Sequence, residues 1–168
     1  KVGVMHITVG ETFITGPTFY TATSDRFDEE IRKGRLTGLF NVHGAEYTAR
    51  LQKIAVEESR LKIPLLFGAD IIHGFKTVTP IPLGESASWD LELIEKSARL
   101  AAREATAAGI NFNFAPMVDI SRDPRWGRVS EGAGEDPYLG SVIAAARVRG
   151  FQGGKLAEPT TLAACVKH

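Results

Sequence analysis

Five short apolar runs, separated by longer stretches with helical periodicity, constrain this chain more than any other feature. The runs are Val4–Val9, Leu36–Val42, Ile63–Gly68, Ile110–Val118 and Leu162–Val166. Each is strand-sized and apolar on both faces, and strands that alternate with helices in this way belong to a parallel sheet with right-handed crossovers. The fold class is therefore α/β. Either a (β/α)₈ barrel or an open doubly wound sheet satisfies the pattern. A barrel needs about 250 residues and eight βα units, so five strands within 168 residues would make only its first part.

The intervening segments carry their own start and stop signals. Ser24 is placed to cap a short helix through Lys33, with Phe27 and Ile31 on one face and Gly34 as its stop. Residues 45–60 place Tyr47, Leu51, Ile54 and Ala55 on one side of a helix. A longer helix runs from Leu91 to Ala108. Asp90 is its cap, Gly109 its stop, and Leu91, Ile94, Ala98, Ala101, Ala105 and Ala108 its apolar positions. Asp136-Pro137 has the form of an N-cap followed by a first-turn proline, opening a helix to about Gly150.

Composition narrows the function classes. With 43% hydrophobic and 24% charged residues the chain has enough apolar material for a substantial core. Zero net charge and the lack of a basic stripe argue against nucleic acid or a membrane surface as partner. No apolar stretch approaches the roughly 20 residues of a transmembrane helix. Cys165 is the sole cysteine, and His6, His43, His73 and His168 are scattered without metal-ligand spacing, so no metal site is expected. No phosphate-cradling glycine pattern is present, and no cofactor is expected. The chain starts at Lys1 without an initiator Met or signal sequence and stops at His168 directly after an apolar run, so it is expected to be a piece of a longer protein.

In parallel α/β folds, ligands meet the C-terminal ends of the strands. The third run delivers Asp70 there, the fourth delivers Asp119 and the segment Arg122–Pro137, and the fifth delivers Lys167 and His168. Acid, guanidinium, ammonium and imidazole together suit a polyhydroxylated ligand, whose hydroxyls need both donors and acceptors, while Trp126 offers a flat apolar face. Each residue also has a plainer role open to it. Asp70 could cap a helix after its strand. His73, in a short apolar turn, is more often structural. Trp126 is favoured as a packing anchor over a stacking platform. Arg122, Asp123 and Arg125 are expected to brace their own loop by ion pairs, and Arg103 and Glu104 to be structural helix residues. Glu131, Glu135 and Asp136 invite assignment as a catalytic carboxylate pair, but Asp136 is placed for capping.

The segments Lys62-Ile-Pro-Leu-Leu-Phe-Gly-Ala-Asp-Ile-Ile-His-Gly74, Asn113-Phe-Ala-Pro-Met-Val-Asp119, Arg122-Asp-Pro-Arg-Trp-Gly-Arg128, Glu131–Pro137 and Lys167-His168 resemble glycoside hydrolase family 3, in register along essentially the whole chain. The nearest likeness is to its bacterial periplasmic β-glucosidases. The resemblance implies that residues 1–168 are a partial N-terminal barrel domain, with the remaining strands and an αβα domain following. It implies an exo-acting, retaining β-glucosidase acting on carbohydrate, in the periplasm or secreted. Asp70, Arg128, Lys167 and His168 match the family residues that hold the sugar of the −1 subsite; Trp126, Asp119 and His73 are further candidates. None of Glu131, Glu135 and Asp136 matches a catalyst, because the family nucleophile lies on a later strand and the acid/base usually in the following domain. This chain alone is therefore expected to be inactive. A β-xylosidase of the same family, or a sugar-binding protein without catalysis, is the alternative; a β-N-acetylglucosaminidase usually differs at the Arg-Trp-Gly-Arg segment.

Overall fold

A computed structural model describes the backbone of Ile7–Val9 and residues 27–168. The Val4–His6 start of the first expected strand and the Ser24 cap lie outside the described residues. Two compact units divide the chain. One comprises Lys1–Ala69 with Ala107–Phe112, the other Asp70–Thr106 with Asn113–His168.

In the first unit β1 (Ile7–Val9), β2 (Gly38–Phe40) and β3 (Leu66–Ala69) are parallel. Leu39 pairs with Thr8 on one side and Phe67 on the other. Between them run α1 (Asp28–Arg32) and α2 (Ala45–Lys53), the latter continued by a wider π-turn over Ile54–Glu58. The expected apolar stripe is buried at Leu51, Ile54 and Ala55, which join Phe27, Ile31, Leu39, Leu65 and Phe67 in one core. The third strand is shorter than its apolar run. Pro64 has no N–H for a ladder, and Ile63 stays outside with 56% of its surface exposed.

The second unit holds α3 (Pro82–Ser86), α4 (Leu91–Ala107), α5 (Pro137–Gln152) and β5 (Ala163–Ala164), and β4 (Phe112–Asn113) enters it at Asn113. Both expected caps form: Asp90 Oδ1 accepts from Leu93 N–H at 2.9 Å, and Asp136 Oδ1 from Leu139 N–H at 2.7 Å. Gly109 ends the Leu91 helix as expected, at φ +85°, a conformation that disfavours any side chain. Ile94, Ala98, Ala101 and Ala105 are buried, whereas Leu91 is exposed. Small residues let α4 and α5 touch, and a Cβ on Gly150 would come 2.6 Å from that of Ala98. Nothing in the sequence announces the short helix α3, since five residues carry no readable period.

Strand neighbours follow chain order within each unit, β1-β2-β3 in the first and β4-β5 in the second. The fourth and fifth are much shorter than the expected 110–118 and 162–166, because Pro116 interrupts regular pairing. Parallel contact resumes just beyond them: Cys165 N–H donates to Ala115 O at 3.1 Å, Lys167 N–H to Pro116 O at 3.1 Å, and Val118 N–H to Lys167 O at 2.8 Å. That pairing brings Lys167 and His168 alongside Asp119.

Candidate functional site

Every residue the sequence offered for ligand contact lies in the second unit. Asp70 follows β3 directly, and no helix starts there, so it is not a helix cap. The stretch 70–81 is a loop closed by an antiparallel bridge between Gly74 and Val78. The Asp70 side chain, 40% exposed, accepts from Lys167 Nζ at 2.9 Å. Lys167 is only 12% exposed and has Glu131 as a second carboxylate at 3.9 Å. Glu131 in turn takes Arg128 in a two-pronged bond, Nε to Oε1 and Nη2 to Oε2, each 2.7 Å. The result is a row of alternating sign, Asp70–Lys167–Glu131–Arg128. Beside it His168 Nδ1 lies 2.6 Å from Asp119 Oδ2.

Electrostatics follow this geometry. The Arg128 bond, reinforced by the nearby Lys167 and His168 charges, outweighs the opposing effect of burial and holds the Glu131 carboxyl below its usual range. Arg128 is pushed upward, chiefly by the same bond, with Asp70 and Asp119 adding to it. A general acid at neutral pH needs the opposite, a carboxyl raised toward the working pH. Glu131 is thus built to stay ionised and to hold two cations in place. The row presents ionised acceptors and charged donors side by side, which suits vicinal hydroxyls.

The Arg122–Pro137 segment divides its labour. Asp123 accepts from Arg125 through its main-chain N–H at 2.9 Å and its guanidinium at 2.6 Å, and this closes the turn. Arg122 is exposed and forms no ion pair among the described residues, so the expected brace reduces to Asp123 and Arg125. Trp126 is 38% exposed, not buried as the packing anchor that the sequence favoured; turns from Asp123 to Trp126 and from Trp126 to Val129 hold it at the surface. Asp136 caps α5. His73 Nδ1 sits 3.2 Å from Thr79 O, and Thr79 N–H donates to His73 O at 3.0 Å, so the residue closes its own turn. Glu104 accepts from Lys76 and Thr77 N–H, each at 2.8 Å, which is also structural.

Three residues escaped the sequence. Glu131 stood there as a non-catalyst with no role of its own, although its i,i+3 spacing from Arg128 is a recognisable pair. Asn113 is wholly buried and bonds the main chain of Ile71; the signal was an amide inside an apolar run. Arg147 forms a buried pair with Glu85 and donates to Ile72 O at 2.8 Å. Among the described residues no group of three His, Cys, Asp or Glu side chains stands close enough to hold a metal ion. No helix among them is long and apolar enough to cross a membrane.

Comparison with known proteins gives a consistent picture. The family model for the glycosyl hydrolase family 3 N-terminal domain matches residues 5–168. A periplasmic β-glucosidase of Salmonella typhimurium is 43% identical over 140 residues, covering 83% of this chain and 18% of that protein. A β-xylosidase of Formosa agariphila is 33% identical over 163 residues, 91% of this chain and 22% of its own length. Among solved structures, the β-glucosidase of Listeria innocua in complex with glucose superposes with a TM-score of 0.76 at 45% identity, over 80% of this chain and 19% of that one. The chain spans about a fifth of each of these relatives.

Proposed function

The chain belongs to glycosyl hydrolase family 3, and on that premise we propose that the protein carrying it is an exo-acting, retaining β-glucosidase to which these residues contribute part of the −1 sugar subsite. The observation that carries the proposal is the row Asp70–Lys167–Glu131–Arg128 with its neighbour His168–Asp119. Asp70 accepts from sugar hydroxyls, while Arg128, Lys167 and His168 donate to them. Asp119 orients His168. Trp126, exposed beside Arg128 in sequence, offers a ring to a sugar face, and His73 supports the Asp70 loop without touching the ligand. The glucose bound to the Listeria enzyme and the name of the Salmonella relative support glucose as the sugar.

Retaining glycosidases need two carboxyl groups about 5 Å apart, one a nucleophile and one an acid/base. Glu131, locked as an anion between two cations, and Asp136, engaged as a helix cap, serve neither role. The catalytic pair is assigned, by the family resemblance, to parts of the protein beyond these residues, and the five βα units to the first part of a (β/α)₈ barrel. The periplasmic relative supports an extracytoplasmic location.

A β-xylosidase is the second reading, favoured by the Formosa relative, whose match spans nearly the whole chain. Steady-state hydrolysis of 4-nitrophenyl β-D-glucopyranoside and β-D-xylopyranoside by the full-length protein separates them. A kcat/KM higher for the glucoside, with retention of anomeric configuration by proton NMR, is expected. Preference for the xyloside supports the second reading. Stoichiometric sugar binding without turnover of either overturns both in favour of a binding protein.

A further inference from the structure

We propose that Asn113 is a positioning residue for Asp70, fixing through the main chain of Ile71 the place from which the Asp70 carboxylate meets the sugar; the proposal rests on the sugar-binding role given to Asp70 above. Asp70 stands at the start of a loop in which neither a helix nor a strand ladder holds the backbone. Side chains hold it instead. The Asn113 carboxamide accepts from Ile71 N–H at 2.8 Å and donates to Ile71 O at 3.2 Å, so that one amide satisfies both main-chain groups of the residue next to Asp70. Asn113 has no exposed surface and Ile71 only 3%, so water is no substitute partner for either. Arg147 pins the following carbonyl, Ile72 O, at 2.8 Å.

A buried primary amide is costly unless all its bonds are made. At position 113 the two bonds to Ile71 offset that cost and tie the loop to one place. A comparable clamp exists two residues earlier. Asn111 accepts from Phe67 N–H at 2.8 Å and donates to Leu65 O at 3.2 Å, holding β3 rather than the loop. One asparagine therefore sets strand register and the other sets a ligand contact. The carboxylate introduced by Asn113→Asp would keep the acceptor for Ile71 N–H, lose the donor to Ile71 O, and place a negative charge against that carbonyl, pushing the loop away.

A double-mutant cycle on the full-length protein tests this, with the inhibition constant of D-glucose against 4-nitrophenyl β-D-glucopyranoside as readout and Tm recorded for every variant. Asn113→Asp is expected to weaken glucose inhibition about tenfold in the native background, as a small misplacement of a ligand contact does, and less than about twofold on top of Asp70→Ala. Asn111→Asp is expected to lower Tm, its effect simply adding to that of Asp70→Ala. A residue that only stabilises the fold gives additive effects at position 113 too, and that result overturns the proposal. A native protein that glucose does not inhibit overturns the sugar-binding role of Asp70 instead. Should Asn113→Asp fail to fold, amide hydrogen exchange of the native protein decides: protection of Ile71 N–H supports the clamp, and exchange as fast as in an open loop overturns it.

Discussion

Lys167 Nζ lies 2.9 Å from Asp70 Oδ1, although 97 positions separate the two residues in the chain. Parallel pairing explains the meeting. The bridge between Met117 and Lys167 registers the last residues against Pro116–Val118, and the ammonium group reaches Asp70 from there. Lys167 keeps only 12% of its side chain exposed, so its charge is shared between Asp70 and Glu131 rather than lost to solvent. Opposite charges are thereby held in fixed places along the row Asp70–Lys167–Glu131–Arg128.

Glu131→Gln is expected to lower kcat/KM for an aryl β-glucoside by about 10- to 100-fold, since the neutral amide releases the guanidinium of Arg128 and one anchor of Lys167. Kinetics on the full-length protein check this, with Tm as the control for folding.

The same carboxyl predicts a pH dependence. Glu131 is held below its usual range mainly by the Arg128 bond. A folded-state pKa below the unfolded value of about 4.3 contributes stability that is present above that value and is lost as pH falls through the folded pKa. Urea denaturation at pH 6 and at steps down to about pH 3 is therefore expected to show a steeper acid loss for the native protein than for Glu131→Gln.

Asp136→Ala removes the bond from Leu139 N–H and is expected to cost about 1 kcal/mol, while Asp136→Asn restores most of it. Thermal denaturation measures the loss, and glucose inhibition is expected to be unchanged. A large fall in turnover with an unchanged Tm would reopen Asp136 as a catalyst.

The Glu85–Arg147 pair is deeply buried, and burial pulls the Arg147 guanidinium below its ordinary range against the opposing attraction of Glu85. Arg147→Met strands Glu85 without its countercharge and is expected to destabilise by about 3–5 kcal/mol. Glu85→Leu in the same protein recovers most of that. Chemical denaturation of the two variants distinguishes a structural pair from a group with another task.

Much of this architecture was legible because the signals were local. Asp136-Pro137 at a helix start, Gly109 at a helix end and the alanines of α4 act within one turn or one face, and each formed as expected. The apolar runs are longer than the strands, because an apolar run marks burial while ladder pairing also needs N–H donors, which Pro64 and Pro116 lack. Long-range pairs were invisible. Nothing in the spacing of Glu85 and Arg147, 62 positions apart, announces that they meet in the interior. The apolar ring of Trp126 argues for burial, whereas the tight turns around it settle its exposure. Asp70, Lys167 and His168 were legible at the ends of strand-sized runs and Arg128 was singled out by family resemblance, whereas Glu131, which joins Arg128 to Lys167, shows only in the geometry.

If the charged row grips a sugar, Arg128 is the residue to remove, because Glu131 holds its guanidinium in place while 44% of the side chain stays exposed. The decisive measurement is kcat/KM for 4-nitrophenyl β-D-glucopyranoside with the full-length protein and its Arg128→Met variant at matched Tm. Loss of a charged hydrogen-bond donor to the substrate predicts a fall of about 100-fold. A value within about twofold of the native protein would rule out a sugar contact at Arg128.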